Sequence, residues 1–150
     1  MAGIAAPSLH LDRIVLDLPA AGLREALESI ARPLAEDAGI ALQPTLRALY
    51  ERERTLSTAW GNGVAVPHAR IVGLTRAHVA FARLAHPIAY GASDGRPVDL
   101  LVLVLSPEAE PAEHVRFLGR LARRLRDAAV VRRLRAAVAE SEVRAAIESE

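Results

Sequence analysis

The segment Val98–Leu105, with the sequence VDLLVLVL, is an almost continuous run of apolar residues bounded by Pro97 and Pro107. Strands that are covered on both faces show such runs, whereas half-exposed strands alternate apolar and polar residues. The segment therefore predicts a central strand with other elements packed on both of its faces.

Shorter strands and a helix are predicted before and after this segment. The patterns of residues 14–18 and 77–84 predict two further strands. A helix is predicted from Leu23 to Gly39, and Pro33 is expected to kink or split it. Strands that alternate with helices indicate an α/β fold, in which helices pack on a mainly parallel sheet.

Four more helices complete the predicted order. One begins near Pro44 and places Arg52 at its C-terminal end, and another begins beyond Pro111. Asp127 and Ser141 are expected to cap two final, shorter helices.

The segment Arg52–Arg70, RERTLSTAWGNGVAVPHAR, connects the second helix to the rest of the sheet. The glycines of Gly61–Gly63 tolerate positive φ angles, so the chain can turn sharply there and expose N–H groups that suit an anion. Residues 64–66 predict a buried strand that Pro67 should end. His68 is therefore expected at the end of a strand.

Spacing alone leaves the role of His68 open. A histidine at this place can be a nucleophile, a metal ligand, a proton shuttle or an ordinary hydrogen-bonded neighbour. No short ligand spacing such as H-x-x-x-H occurs, which disfavours a metal site built from His68, His114 and an acid. No metal or other cofactor is predicted.

The segment resembles the phosphorylation-site signature of the fructose/mannitol-type (type 2) enzyme IIA family of the bacterial phosphoenolpyruvate-dependent phosphotransferase system. The residues that carry the resemblance are Arg52, Glu53, Ser57, Thr58, Gly61, Asn62, Gly63, Ala65, Pro67 and His68. It continues through Pro87–Leu100 and through Pro107, Glu108 and His114, and residues 11–18, LDRIVLDL, are most similar to the nitrogen-regulatory branch. The resemblance implies a mixed sheet flanked by helices. The length of 150 residues favours one domain over residues 1–150, and residues 1–9 are expected to be loose.

The resemblance also implies the roles of individual residues. His68 would accept a phosphoryl group from the phosphohistidine of an HPr-like carrier, with His114 and Arg52 as catalytic partners. The phosphoryl group would be bound by the hydroxyls of Ser57 and Thr58 and by the backbone amides of the turn that Gly61, Asn62 and Gly63 form.

Elementary chemistry is compatible with these roles and leaves alternatives. A neutral imidazole is nucleophilic, and an unperturbed pKa near 6.5 leaves most histidines neutral at pH 7. The fork of Arg52 suits a phosphoryl group, although a surface pair with Glu53 is the alternative. His114, early on its helix, would be kept neutral by the helix dipole and could donate an N–H, or it could simply pack in the core.

Three residues depart from the family pattern: Ala59, Trp60 and Ala69. These departures bear on partner choice and on access to His68.

Composition limits the class of protein. A hydrophobic fraction of 51% in 150 residues suffices for one core, and the absence of cysteine excludes disulfides and thiolate sites and fits a reducing compartment. No signal peptide is evident, and no apolar stretch approaches the roughly 20 residues of a spanning helix. A cytoplasmic protein without membrane insertion is expected.

All 19 basic residues are arginine, and eight of them lie in residues 116–135, where Asp127 is the one acidic residue. They are Arg116, Arg120, Arg123, Arg124, Arg126, Arg132, Arg133 and Arg135. The span is either a patch for an acidic partner or phosphates, or a solvated helix face. Aromatic residues are not interleaved with it and the net charge is only +1, so nucleic-acid binding is not expected.

The predicted function is that of a phosphocarrier that regulates a partner protein through its phosphorylation state. The alternative is a sugar-transport enzyme IIA that passes the phosphoryl group to a separate IIB component. A weaker alternative is a non-catalytic binding module that uses the arginine-rich helices. Whether the chain forms a homodimer is left open.

Overall fold

The computed structural model describes residues 9–149, and these residues alternate strands and helices as predicted. Residues 1–8 of the predicted loose segment lie outside the described residues, whereas Leu9 is buried in the core. Within the described part the elements are β1 (Arg13–Leu18), α1 (Leu23–Ala38), α2 (Leu42–Thr55), β2 (Ala59–Gly61), β3 (Val64–Ala65), β4 (His68–Ile71), β5 (His78–Ile88), β6 (Val98–Pro107), α3 (Pro111–Arg126), α4 (Ala128–Ala136) and α5 (Glu140–Glu148).

One mixed sheet contains all six of these strands, and β6 lies at its centre. β6 pairs parallel with β3 and β4 and antiparallel with β5. β1 adds to β5 in parallel, and β2 adds to β3 antiparallel. Three of the five pairings are thus parallel, while the longest, between β5 and β6, is antiparallel. The predicted mixed sheet flanked by helices is confirmed.

The central strand β6 is covered on both faces. Leu100, Val102 and Val104 face a core formed with α3, α4 and α5, and the residues between them face a second core formed with α1 and α2. Every residue from Leu100 to Leu105 has 0% of its surface exposed. Full burial of one such side chain contributes about 1.5–3 kcal/mol, so this strand anchors both layers. The prediction from VDLLVLVL is confirmed.

Pro67 interrupts the strand before His68 but does not end its pairing. Ala65 pairs with Leu101 and His68 with Val104, so β3 and β4 follow β6 in one unbroken register. Proline lacks a donor but keeps its carbonyl, and the Pro67 carbonyl accepts a hydrogen bond from the Val104 N–H at 3.0 Å. The prediction that pairing ends at Pro67 is therefore wrong, and His68 begins a strand.

Two helix predictions are confirmed and one is wrong, and of the two outcomes expected at Pro33 the split does not occur. Gly39 closes α1 in the left-handed conformation, with φ of 71°, and the Asp127 carboxylate caps α4 by accepting from the Ala129 N–H at 2.9 Å. Pro33 lies inside α1 without splitting it. Ser141 is not a cap, because α5 already begins at Glu140.

Within residues 9–149, no helix is both long enough and apolar enough to cross a membrane.

Candidate functional site

An open cleft of about 560 Å³ lies where α2, β4 and the start of α3 meet. Each element contributes residues to its wall: Ala48, Glu51, Arg52 and Thr55 from α2, His68, Ala69 and Arg70 from β4, then Glu108 and His114. The three predicted catalytic residues, which are up to 62 positions apart in the sequence from Arg52 to His114, are therefore brought together.

The orientation of the His68 ring is fixed by a backbone carbonyl. Its Nδ1 lies 2.7 Å from the Val66 carbonyl oxygen. A carbonyl oxygen only accepts, so Nδ1 carries the proton and donates it, and the lone pair of the neutral ring is on Nε2. Burial lowers the pKa of His68, and the nearby Arg52 cation lowers it further against the opposing effect of the Val66 hydrogen bond. The ring is therefore neutral at pH 7.

His114 lies beside His68, with the two ring centroids 5.4 Å apart and the planes inclined by 46°. Its Nδ1 is 2.8 Å from the Ser106 hydroxyl. Burial is the main cause that lowers the pKa of His114 to about 4, and electrostatic coupling to His68, Arg70 and Arg52 adds to it. The neutral state predicted for His114 is thus supported by burial and neighbouring cations in addition to its place on the first turn of α3.

Arg52 occupies the last turn of α2 and donates from Nη1 to the Leu56 carbonyl at 2.7 Å. This bond fixes one side of the guanidinium and leaves its other N–H groups for the cleft. The alternative pairing with Glu53 is not formed, because the Glu53 carboxylate accepts from the Thr58 N–H at 3.1 Å, from the Thr58 hydroxyl and from the Tyr90 hydroxyl at 2.8 Å.

This cluster of Glu53, Thr58 and Tyr90 is a feature that the sequence reasoning missed. Thr58 is 1% exposed and Tyr90 is 6% exposed, and burial together with the Glu53 charge raises the pKa of Tyr90 well above its usual value. The Thr58 carbonyl accepts from the Val66 N–H at 2.9 Å. The cluster thus connects the end of α2 to the residue whose carbonyl orients His68.

The hydroxyls of Ser57 and Thr58 have partners within the fold, and their predicted contact with a phosphoryl group stays a prediction. The Ser57 hydroxyl donates to the Tyr90 carbonyl and accepts from the Ala59 N–H, each at 3.2 Å. The Thr58 hydroxyl is buried against Glu53 and Tyr90. Both hydroxyls are used to hold the loop that precedes β2.

The turn Gly61–Gly63 has the predicted positive φ angles but lies away from the cleft. The Gly63 carbonyl accepts from Asp99 and Leu100, at the first residues of β6, whereas His68 pairs with Val104. Four residues of strand separate these points by about 13 Å. The Asn62 N–H donates to the Asp94 carboxylate at 3.0 Å. Gly61, Asn62 and Gly63 do not line the cleft, and their contact with a phosphoryl group stays a prediction.

Two residues near the histidines were missed by the sequence reasoning. Arg70 lies on the same face of β4 as His68, two residues further on, and it lines the cleft. Strand periodicity would have revealed it if pairing had not been expected to stop at Pro67. Ser106, 1% exposed, directly follows the apolar run of β6, and no local signal connects it to His114.

The arginine-rich helices are less free than their charge suggests. Within the described residues, Arg116 pairs with Glu113, Arg124 donates to the Ala146 carbonyl and Arg135 binds Asp99 at 2.8 Å. Arg123, Arg126, Arg132 and Arg133 are exposed. No group of three histidine, aspartate or glutamate side chains in residues 9–149 is arranged to hold a metal ion.

Comparison with known proteins gives consistent results over most of the chain. The family model of the phosphoenolpyruvate-dependent sugar phosphotransferase system, EIIA 2, matches residues 8–150. A nitrogen regulatory protein of Bradyrhizobium diazoefficiens is 41% identical over 113 residues, which cover 75% of this chain and 74% of that protein. The fructose-specific EIIA component of Haloferax volcanii is 38% identical over 117 residues, or 77% and 75% of the two chains. The crystal structure of the nitrogen regulatory protein IIA-Ntr from Neisseria meningitidis superposes with a TM-score of 0.86 at 32% identity, covering 90% of this chain and 92% of that one.

Proposed function

The chain belongs to the EIIA 2 family of the phosphoenolpyruvate-dependent sugar phosphotransferase system, and from this premise we propose that His68 Nε2 is its phosphoryl acceptor. An EIIA component is a phosphoryl-transfer protein, so the chain needs one nucleophile in an accessible cleft. The observation that carries the proposal is the bond from His68 Nδ1 to the Val66 carbonyl, which leaves the lone pair on Nε2.

The transfer requires little acid–base chemistry. The donor is the phosphohistidine of an HPr-like carrier protein. The Nε2 lone pair of His68 attacks phosphorus while the donor's P–N bond breaks, and that electron pair returns to the donor imidazole. No proton has to leave Nε2, because the proton of the neutral His68 ring is on Nδ1. Catalysis therefore consists of in-line placement and of stabilising charge on the three phosphoryl oxygens.

Arg52 and His114 are the groups proposed to stabilise that charge. Arg52 is held on one side by the Leu56 carbonyl and keeps N–H groups for two phosphoryl oxygens, which suits the planar fork of a guanidinium. His114 is neutral and lies beside the acceptor ring. Arg70 adds a second positive charge at the rim of the cleft.

The proposed output of the phosphoryl group is regulation. A partner protein would bind one phosphorylation state of this chain, as the name of the nitrogen regulatory relatives suggests for those proteins. A second candidate is sugar transport, with transfer to a separate IIB component, and its support is the similarity to a fructose-specific EIIA component. Binding through the arginine-rich helices alone has weaker support, since three of those arginines are engaged within the fold.

The test of the acceptor is direct. The protein is incubated with phosphoenolpyruvate, enzyme I and HPr from a matching source, and acid-labile, base-stable phosphate is measured. His68→Ala should abolish the label. His86→Ala is the matched control because His86 is exposed and outside the cleft, and it should label like the wild type. Equal labelling of His68→Ala and wild type would show that another residue is the acceptor.

A further inference from the structure

Ser106 lies at the end of β6, beneath His114 and outside the wall of the cleft. It pairs with Arg70 across the sheet and is 1% exposed, so bulk water does not reach it. Its Oγ is 2.8 Å from His114 Nδ1. The Ser106 side chain therefore contacts Nδ1 of His114 and not Nε2.

The direction of this hydrogen bond follows from the partners that each group has. A serine hydroxyl carries one hydrogen, and a buried hydroxyl needs an acceptor for it. Among residues 9–149, His114 Nδ1 is the one partner within hydrogen-bond distance of the Ser106 hydroxyl. The hydroxyl must therefore donate to Nδ1. Nδ1 then has no proton of its own, and the neutral ring carries its proton on Nε2.

We propose that Ser106 is a positioning residue that holds His114 in the Nε2–H tautomer, so that His114 donates a hydrogen bond to the phosphoryl group on His68. The inference rests on the proposed function of His68. The two rings then have opposite tautomers, each set by a different partner: the Val66 carbonyl selects Nδ1–H in His68, and the Ser106 hydroxyl selects Nε2–H in His114.

The opposite tautomers are what the transfer needs. At Nε2, His68 offers a lone pair that attacks phosphorus, while His114 offers an N–H to the oxygens. In the other tautomer, His114 would turn a lone pair toward anionic oxygens and repel them. A positively charged His114 would also donate, but burial and the nearby His68, Arg70 and Arg52 disfavour that form at pH 7. The neutral ring therefore depends on Ser106 for its proton position.

The first arm of the test uses the unphosphorylated protein with ¹⁵N-labelled histidine. Two-bond ¹H–¹⁵N spectra at pH 7 should show His114 with a protonated Nε2 and an unprotonated Nδ1, and His68 with the reverse. Ser106→Ala should shift the His114 nitrogens toward an averaged, mixed-tautomer position. Ser106→Thr keeps the hydroxyl and should restore the wild-type pattern, and the exposed Ser141→Ala serves as matched control.

The second arm measures phosphoryl transfer from phosphorylated HPr. Ser106→Ala should lower the maximal rate by roughly tenfold with little change in the HPr concentration needed for half-maximal rate, because the bond from His114 forms as the phosphoryl group moves to His68 and not when HPr first binds. Ser106→Thr should stay within about twofold of wild type for the same reason.

Each outcome has a defined meaning. The proposal is overturned if Nδ1 of His114 is protonated in the wild-type protein. This measurement needs no variant and does not depend on whether a variant folds. A Ser106→Ala protein whose His114 tautomer and transfer rate both match wild type also overturns the proposal. If instead His68→Ala still accepts phosphate, the assignment of the acceptor fails, while the tautomer measurement continues to report on Ser106 and His114.

Discussion

The Glu53 carboxylate accepts a hydrogen bond from the buried Tyr90 hydroxyl at 2.8 Å, across 37 positions of sequence. The same carboxylate holds Thr58, whose carbonyl binds the Val66 N–H. The cluster of Glu53, Thr58 and Tyr90 thus connects the helix end that carries Arg52 to Val66, whose carbonyl orients His68. Neither Arg52 nor His68 belongs to the cluster. The position of the arginine relative to the acceptor ring is expected to depend on that cluster.

Tyr90→Phe should destabilise the protein by about 1–3 kcal/mol, because it removes a donor from the half-buried Glu53 carboxylate and leaves part of that charge unsatisfied. Unfolding in urea, followed by circular dichroism, measures this. The matched control is Tyr50→Phe, since the Tyr50 hydroxyl is half-exposed and its bond to Glu28 is long, at 3.5 Å. Tyr50→Phe should cost less than about 0.5 kcal/mol. Equal effects of the two changes would contradict a special role for Tyr90.

Arg52→Lys should slow phosphoryl transfer by roughly 10- to 100-fold while leaving the fold intact. A lysine keeps the charge but has a single ammonium group, which does not bond the Leu56 carbonyl and two phosphoryl oxygens in one plane. Arg54→Lys, on the exposed side of the same helix end, is the control and should transfer like wild type. Rapid-quench measurement of the labelled protein gives both rates. A wild-type rate for Arg52→Lys would mean that charge alone, without the fork, suffices.

Stability should fall as pH is lowered from about 6.5 toward 4, with a contribution from His114 on the order of 1–2 kcal/mol after allowance for its partial exposure. The pKa of His114 is lowered to about 4 in the folded protein, against an ordinary value of 6.5. Between these values the unfolded chain binds the proton and the folded chain does not, so acid favours unfolding. Above about 6.5 neither state is protonated and the term is constant.

Urea unfolding at a series of pH values tests this, with His114→Gln as the comparison. Glutamine does not titrate, so the loss of stability between pH 6.5 and 4.5 should be smaller in that variant. A residual loss is expected, because burial also lowers the pKa of His68 and of His78. The Asp37 and Asp94 carboxylates have pKa values below their usual 3.8 and contribute only at lower pH. An unchanged pH dependence in His114→Gln would contradict the assignment.

Gly63→Ala should destabilise the fold by more than about 2 kcal/mol, because φ there is +79° and an added Cβ would collide with the Arg135 guanidinium and lie 2.7 Å from Asp99 Oδ1. Gly119→Ala is the opposite case, with no atom within 4 Å and helical backbone, and should stabilise α3 by about 0.5–1 kcal/mol. The folded fraction of Gly63→Ala should still accept phosphate at the normal rate, since the turn lies away from the cleft. If Gly63→Ala folds but accepts phosphate more slowly than wild type, the turn contributes to the phosphoryl-transfer site.

The sequence predicted those parts of the fold that local physics determines. The apolar run of β6, the left-handed Gly39 and the Asp127 cap follow from neighbouring residues alone. The prediction at Pro67 is wrong because a missing donor does not end the pairing when the proline carbonyl still joins the ladder. The turn Gly61–Gly63 was predicted correctly as a turn, but its distance from His68 depends on the register between β3 and β6, which no local pattern contains. Contacts such as Glu53 with Tyr90 are equally nonlocal.

The phosphoryl group on His68 should persist when the labelled protein is mixed with sugar-specific IIB domains, membranes and fructose. Regulation by binding requires a phosphorylation state that lasts long enough for a partner to sense it, whereas transport requires rapid loss to a IIB acceptor. A fructose-specific EIIA component labelled in the same way is the positive control and should lose its label within the mixing time. Retention of the label on this chain, together with a partner that binds only one of its two phosphorylation states, supports regulation. Rapid, sugar-dependent loss would contradict regulation and identify the chain as a transport component, with the chemistry at His68 unchanged.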